Sequence, residues 1–336
     1  MNKIEKNRAK VYSSIELIPA QIEQAWTMMA EAKIPSKYKK FSNIVVCGMG
    51  GSNIGFHLVR QALASKIEVP IFIHSDYKLP KFVNKDSLVI LSSYSGNTEE
   101  VISCAKQVVA NKYSGYIITG GGKLAKMTDK IPGEVFSTDF NPSDEPRWGL
   151  GYSIGSFLQL LNRLDVLSIT DAQLMKANVS QPVNDFKALA KIMRNKMVVV
   201  MAAEHLIGNA HIFCNQLNET ADNMAIWMAL PELNHHFMEA LSNPKEVVQK
   251  NMVVLFLNSD NYSSKIKKRI EITKKVLNKK KVKWLELSSG KKNALEDSLS
   301  TLQLLSYLCY HMSVVNKVDP IAIPTVDFFK AQLKKQ

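Results

Sequence analysis

Two short loops carry the residue types that hold an anion. The first, Gly48-Met49-Gly50-Gly51-Ser52-Asn53-Ile54-Gly55, follows an apolar run and leads into a helical pattern. A strand, glycines and a helix start leave several backbone N–H groups unpaired and converging, and the positive end of the helix dipole favours negative charge there. The second loop, Ser92-Ser93-Tyr94-Ser95-Gly96-Asn97-Thr98-Glu99-Glu100, also opens a helix. Helix capping by Asn97 or Thr98 explains one of its side chains; it leaves Ser93 and Ser95 unexplained. Hydroxyl donors beside free backbone N–H groups suit a phosphate. A dinucleotide competes for the first loop, but its fingerprint needs a third glycine where Asn53 stands, and no Gly-Lys-Ser/Thr ending of a nucleoside-triphosphate loop follows. Asp76, placed about where a ribose-binding acid would be, keeps the dinucleotide reading open. A structural turn explains the first loop alone as well as a ligand does; it does not explain the pair.

The surrounding elements must bring the two loops together. In the first half, apolar β-rich runs at 43–47, 69–74, 87–92, 115–119 and 134–138 alternate with helical patterns at 54–65, 99–111 and 123–129. Runs that are continuously apolar belong to a sheet covered on both faces, hence to a doubly wound parallel α/β domain. Ligands of such sheets sit at the carboxyl ends of neighbouring strands, where both loops fall. Residues 12–32 read as one amphipathic helix ahead of this domain, and 150–164 as a long helix behind it. The polar stretch 165–185 contains Pro182 and no strand signal, which places the domain boundary there. Strand patterns at 196–202, 223–228, 252–258 and 282–287, with helices near 207–219, 232–240, 262–281 and 293–316, repeat the alternation. The expected architecture is α/β, two doubly wound parallel-sheet domains in tandem at 1–165 and 186–336, closed by a short amphipathic helix at 324–335.

At 336 residues the chain exceeds what one core usually organises, in keeping with two domains. Its 46% apolar and 22% charged residues exclude disordered and collagen-like classes. No apolar run approaches the roughly 18–20 residues of a membrane span, and no signal segment follows Met1, so a cytoplasmic protein is expected. Cys47, Cys104, Cys214 and Cys309 lack ligand spacing and read as reduced thiols. The net charge of +13 is concentrated: twelve Lys or Arg residues lie between Lys265 and Lys292 against Glu271 and Glu286. There Ile266, Ile270, Thr273 and Leu277 recur at helical spacing with lysines over the rest, the pattern of a solvated helix face. No aromatic residue interleaves before Trp284, so nucleic acid is not an expected partner. Glycine is distributed just as unevenly, with thirteen of fifteen at or before Gly155.

The ordered set of motifs resembles the sugar isomerase (SIS) superfamily and, more closely, the bifunctional phosphoglucose/phosphomannose isomerase family. The resemblance rests on the loops at 48–52 and 93–99, Pro146-Arg147 with Gly149-Leu150-Gly151-Tyr152, Gln216-Leu217-Asn218-Glu219-Thr220, Pro231-Glu232-Leu233-Asn234-His235, and Asp319-Pro320 with Lys330. It implies two SIS domains, in a homodimer whose active site borrows a histidine from the partner subunit. It also implies that Gly51, Ser52, Ser93, Ser95 and Thr98 hold the sugar phosphate, that Glu219 is the base, and that His235, Arg147 and Lys330 complete the site. The motif departs from the family pattern at Thr220, His236 and Ile321, which bears on tolerance at C2 of the sugar.

The implied chemistry suits these residue types. Moving a proton between C1 and C2 through an enediolate needs a carboxylate that takes and returns it, here Glu219. A cation, Arg147, stabilises the developing oxyanion. His235 and Lys330 fit proton exchange at the ring oxygen and anomeric hydroxyl, with His236 and the lysines at 334 and 335 as rivals. No cofactor or metal is called for, and a zinc site of His235, His236 and Glu239 lacks a third histidine or cysteine at ligand spacing. The expected activity interconverts glucose 6-phosphate and fructose 6-phosphate, with mannose 6-phosphate as a further substrate; a non-catalytic phosphosugar sensor is the alternative.

Overall fold

Strands apolar on both faces need cover on both faces, and the first sheet has it. One apolar cluster packs Ile44, Val46, Leu88 and Ile90 against the helices on one side, and a second packs Val45, Val89, Leu91 and Ile117 against Val101, Cys104 and Leu124 on the other. The computed structural model describes residues 2–177, 186–333 and 335. The chain begins with α1 (Lys3–Glu16) and α2 (Ile18–Glu31), then runs β1 (Asn43–Cys47), α3 (Gly51–Ala62), β2 (Ile71–His74), β3 (Ser87–Ser93) and α4 (Glu99–Asn111). It continues through β4 (Ser114–Thr119), α5 (Gly122–Ala125), β5 (Gly133–Val135), α6 (Leu150–Arg163), α7 (Asp171–Ala177) and α8 (Phe186–Met193). The second sheet follows with β6 (Met197–Ala203), α9 (Ile207–Thr220), β7 (Ala225–Leu230), α10 (Leu233–His236), α11 (Lys245–Lys250) and β8 (Met252–Leu257). Last come α12 (Ser264–Lys279), β9 (Lys283–Leu287), α13 (Ala294–Asn316) and α14 (Pro324–Leu333).

All pairings are parallel, in the orders β2-β1-β3-β4-β5 and β7-β6-β8-β9. Each sheet therefore reverses its strand order beside its first strand, β1 against β3 and β6 against β8. The two candidate loops leave β1 and β3, at that point of the first sheet.

The expected α/β architecture with two parallel sheets is what the chain adopts, with local differences. The single helix expected over 12–32 is two, broken at Leu17, because Pro19 has no N–H to give and is tolerated only in the first turn of α2. The helix expected near 232–240 is the one-turn α10 followed by a 3₁₀ turn at Glu239–Ser242. The last strand of the first sheet is three residues at its edge rather than five. On α12, Ile266, Ile270, Thr273 and Leu277 are buried in the expected register, and Lys274 is buried with them between Glu271 and Glu286. The expected boundary at 165–185 falls partly on 178–185, outside the described residues, as does Lys334. Among the described residues no helix is long and apolar enough to cross a membrane.

Candidate functional site

The loop after β1 turns on Gly50, whose φ of +50° favours glycine, and α3 begins at the next residue. A Cβ on Gly51 would stand 2.8 Å from the Pro146 carbonyl oxygen, so this loop lies flat against the Pro146-Arg147 turn. The loop after β3 turns on Gly96, with φ +66°, and a Cβ there would overlap the Gly121 carbonyl. The Tyr94 N–H donates to Ser52 Oγ at 2.8 Å and joins the two loops.

Within the second loop, Ser93 Oγ accepts the Gly96 N–H at 3.0 Å and lies 2.8 Å from Thr98 Oγ1. Thr98 occupies the N-cap position of α4 without capping it, its hydroxyl being turned to Ser93. Among the described residues, no hydrogen bond takes up the N–H groups of Thr98, Glu99 and Glu100, which remain free to face an anion. Ser52 and Ser93 are buried, Thr98 is half-buried and Ser95 is exposed, its Oγ accepting only the Asn97 N–H at 3.3 Å. Gly51, Ser52, Ser93 and Thr98 thus line one end of the first sheet, with Ser95 at its mouth.

A second cluster adjoins the first through Gly51 and Pro146. Arg147 is 4% exposed, and Glu219, on the last turn of α9, stands 3.7 Å from its Nη1. The guanidinium is held on every side: Nε donates to Thr220 Oγ1 at 3.1 Å, Nη1 to Glu145 Oε2 at 2.7 Å, and Nη2 to the carbonyls of Pro320 at 3.0 Å and Ile321 at 2.9 Å. Gln216, also on α9, donates to the Arg147 carbonyl at 3.3 Å. Asp319 fixes the third segment, accepting the Ile321 N–H and both contacts of the Asn7 amide on α1. Burial pushes the Glu145 carboxyl up, Arg147 draws it back, and Glu219 and Asp144 add repulsion.

Three segments far apart in the chain therefore meet at Arg147 and Glu219. His235 and Lys330 make no hydrogen bond or ion pair with these segments among the described residues. His235 is exposed on α10, whose Asn234 is tied to Thr273 and Arg269 of α12, and Lys330 is exposed on α14, which buries no side chain. Among the described residues, neither side chain makes a hydrogen bond or an ion pair. Glu145 and Thr220 were not among the expected site residues. Their one sequence signal is adjacency, Glu145 preceding Pro146-Arg147 and Thr220 following Glu219. Ile321, expected to matter through its side chain, reaches the site through its carbonyl.

Comparison with known proteins adds the family context. The family model described as bacterial phospho-glucose isomerase C-terminal SIS domain matches residues 182–333. The chain is 29% identical over 331 residues to the bifunctional phosphoglucose/phosphomannose isomerase of Aquifex aeolicus, covering 97% of this chain and 99% of that one. It is 26% identical over 341 residues to the enzyme of the same name from Caldicellulosiruptor bescii, covering 96% and 98%. A hypothetical protein of Thermus thermophilus shares the fold, with a TM-score of 0.73 at 14% identity over 99% of this chain and 94% of that one.

Proposed function

Because the chain belongs to the bifunctional phosphoglucose/phosphomannose isomerase family of the SIS superfamily, we propose that it interconverts glucose 6-phosphate and fructose 6-phosphate, and accepts mannose 6-phosphate as well. One observation carries this reading beyond family membership. A carboxylate and a buried guanidinium, Glu219 and Arg147, stand 3.7 Å apart against the glycine loop that would hold the phosphate.

In this reading the first half, 1–165, binds the phosphate through Gly51, Ser52, Ser93, Ser95 and Thr98, and the second, 186–336, supplies the base. Glu219 takes the proton from C2 of the open-chain aldose, leaving an enediolate, and returns it to C1 to give the ketose. Arg147 lies close enough to stabilise charge developing on the neighbouring oxygen. His235 and Lys330 exchange protons with the ring oxygen and anomeric hydroxyl. His235 comes from the partner of a homodimer, which fits its exposure on α10. The reaction moves hydrogen within one molecule, so it needs no redox cofactor, and we propose that it needs no metal.

A coupled assay with fructose 6-phosphate in the presence of EDTA tests this directly. Turnover is expected in the native chain, and its loss in Glu219→Gln with phosphosugar binding retained. Normal turnover in that variant rules out the mechanism. Binding without turnover in the native chain would make the protein a phosphosugar sensor.

A further inference from the structure

The two carboxylates around Arg147 are not equivalent. Glu145 Oε2 accepts Nη1–H at 2.7 Å, a full charge-assisted hydrogen bond, whereas Glu219 Oε2 stands 3.7 Å from the same nitrogen, beyond hydrogen-bond reach. Nε and both N–H groups of Nη2 are also committed, to Thr220, Pro320 and Ile321, which leaves the second N–H of Nη1 as the one donor able to reach Glu219. Glu145 is itself pinned: its carbonyl accepts the Asn141 amide at 3.0 Å, its N–H donates to Ser143 Oγ at 3.4 Å, and Pro146 follows.

We propose that Glu145 is a positioning residue that holds the Arg147 guanidinium away from Glu219 and so keeps the Glu219 carboxylate free to act as the base. This rests on the isomerase reading above. Without Glu145, Nη1 would lose the carboxylate that draws it aside, and a small tilt about the anchors at Nε and Nη2 would close the 3.7 Å gap to Glu219, the other carboxylate beside it. The resulting pair would occupy the lone pairs that must take the substrate proton. An arginine in contact also lowers a carboxylate's basicity by about one to three pH units. The charged and titratable groups facing the cluster are few. Asp144 lies beside Glu145, with the Tyr94 hydroxyl 3.5 Å from it, and the Cys309 thiol of α13 faces both Arg147 and Glu219.

The experiment is a pH profile of kcat/KM for the native chain, Glu145→Gln and Glu145→Asp, joined to carboxyl ¹³C NMR titration of each, with the Glu219 resonance assigned by its loss in Glu219→Gln. In Glu145→Gln the acidic limb is expected to move down by about one pH unit or more, with the Glu219 NMR midpoint moving alongside it. Glu145→Asp keeps the charge one methylene further back and is expected to show a smaller shift in the same direction. It also carries the test if the glutamine variant fails to fold. A Glu219 midpoint that stays in place or rises in the folded variants overturns the proposal. The NMR arm decides this without turnover, so a native chain inactive on every hexose phosphate would defeat the isomerase reading alone.

Discussion

Glu134 on β5 shows how much one side chain can shape the molecule's response to pH. It is 5% exposed, and neither carboxylate oxygen is hydrogen-bonded to a described residue. Burial pushes its carboxyl up to about 7, and the Ser156 hydroxyl on α6 draws it back somewhat without forming a hydrogen bond. The folded chain therefore holds this proton to higher pH than the unfolded chain does. The associated stability is complete below the ordinary glutamate range and is lost as pH rises through about 7. Glu134→Gln is expected to remove about 2–3 kcal/mol of that pH dependence between pH 5 and 8, read from denaturant unfolding at both. An unchanged slope would show the site to be solvated. Single residues differed in legibility. Ser52, Ser93, Ser95 and Thr98 stand out as hydroxyls packed around glycine in contiguous stretches, whereas Glu134 and Glu145 look like any other acids in the sequence.

Helices α3 and α9 bring the two halves into contact. They cross where α9 carries Gly208, and a Cβ there would stand 2.5 Å from Leu58 Cα. One turn further along, His57 Nδ1 and His211 Nδ1 are 3.1 Å apart, so one ring donates to the other. Burial, the Arg60 charge and His211 push His57 down to about 4, and burial also lowers His211. Both are thus neutral at pH 7, and here the sign is opposite to that of Glu134. The unfolded chain binds the extra proton first, so stability falls as pH drops from the ordinary histidine range toward about 4. Replacing His57 by Leu is expected to reduce the stability lost between pH 7 and 5 by about 2 kcal/mol, measured by thermal or urea unfolding. Equal losses in the two proteins would exclude the pair as the cause. The elements themselves were largely readable, because continuous apolar runs and 3.6-residue periodicity are local properties. The breaks were not: the split at Leu17 and the one-turn α10 depend on what the chain packs against.

The largest apolar cluster runs without interruption from α1 through both sheets to α13, so the halves that length and composition mark as separate share packing. Gln303 of α13 donates to the Ile15 carbonyl of α1 at 3.0 Å within it. At the other extreme, α14 leaves Phe328 and Phe329 66% and 61% exposed, on the same helix as Lys330. In the proposed homodimer each site combines Glu219 of one chain with His235 of the other. Mixing inactive Glu219→Gln with inactive His235→Ala under exchange conditions is then expected to restore activity, because each heterodimer contains one intact site. Random pairing of equal amounts would give about one quarter of the native rate. No recovery, with exchange verified by mass, would place His235 and Glu219 in the same chain or outside the reaction.

Residue order alone dictates the parallel α/β architecture and the two glycine- and hydroxyl-rich loops proposed to hold the phosphate. Each is written in a contiguous stretch whose backbone conformation follows from its own residue types. The surroundings of Arg147 are a matter of packing in three dimensions. Glu145, Thr220, Glu219, Pro320 and Ile321 come from three segments, and their order in the chain carries no distance between them. Which carboxylate takes the guanidinium at 2.7 Å and which is left at 3.7 Å depends on where α9 and the segment after α13 end against the Pro146 turn. That is set by contacts between distant elements rather than by any local propensity.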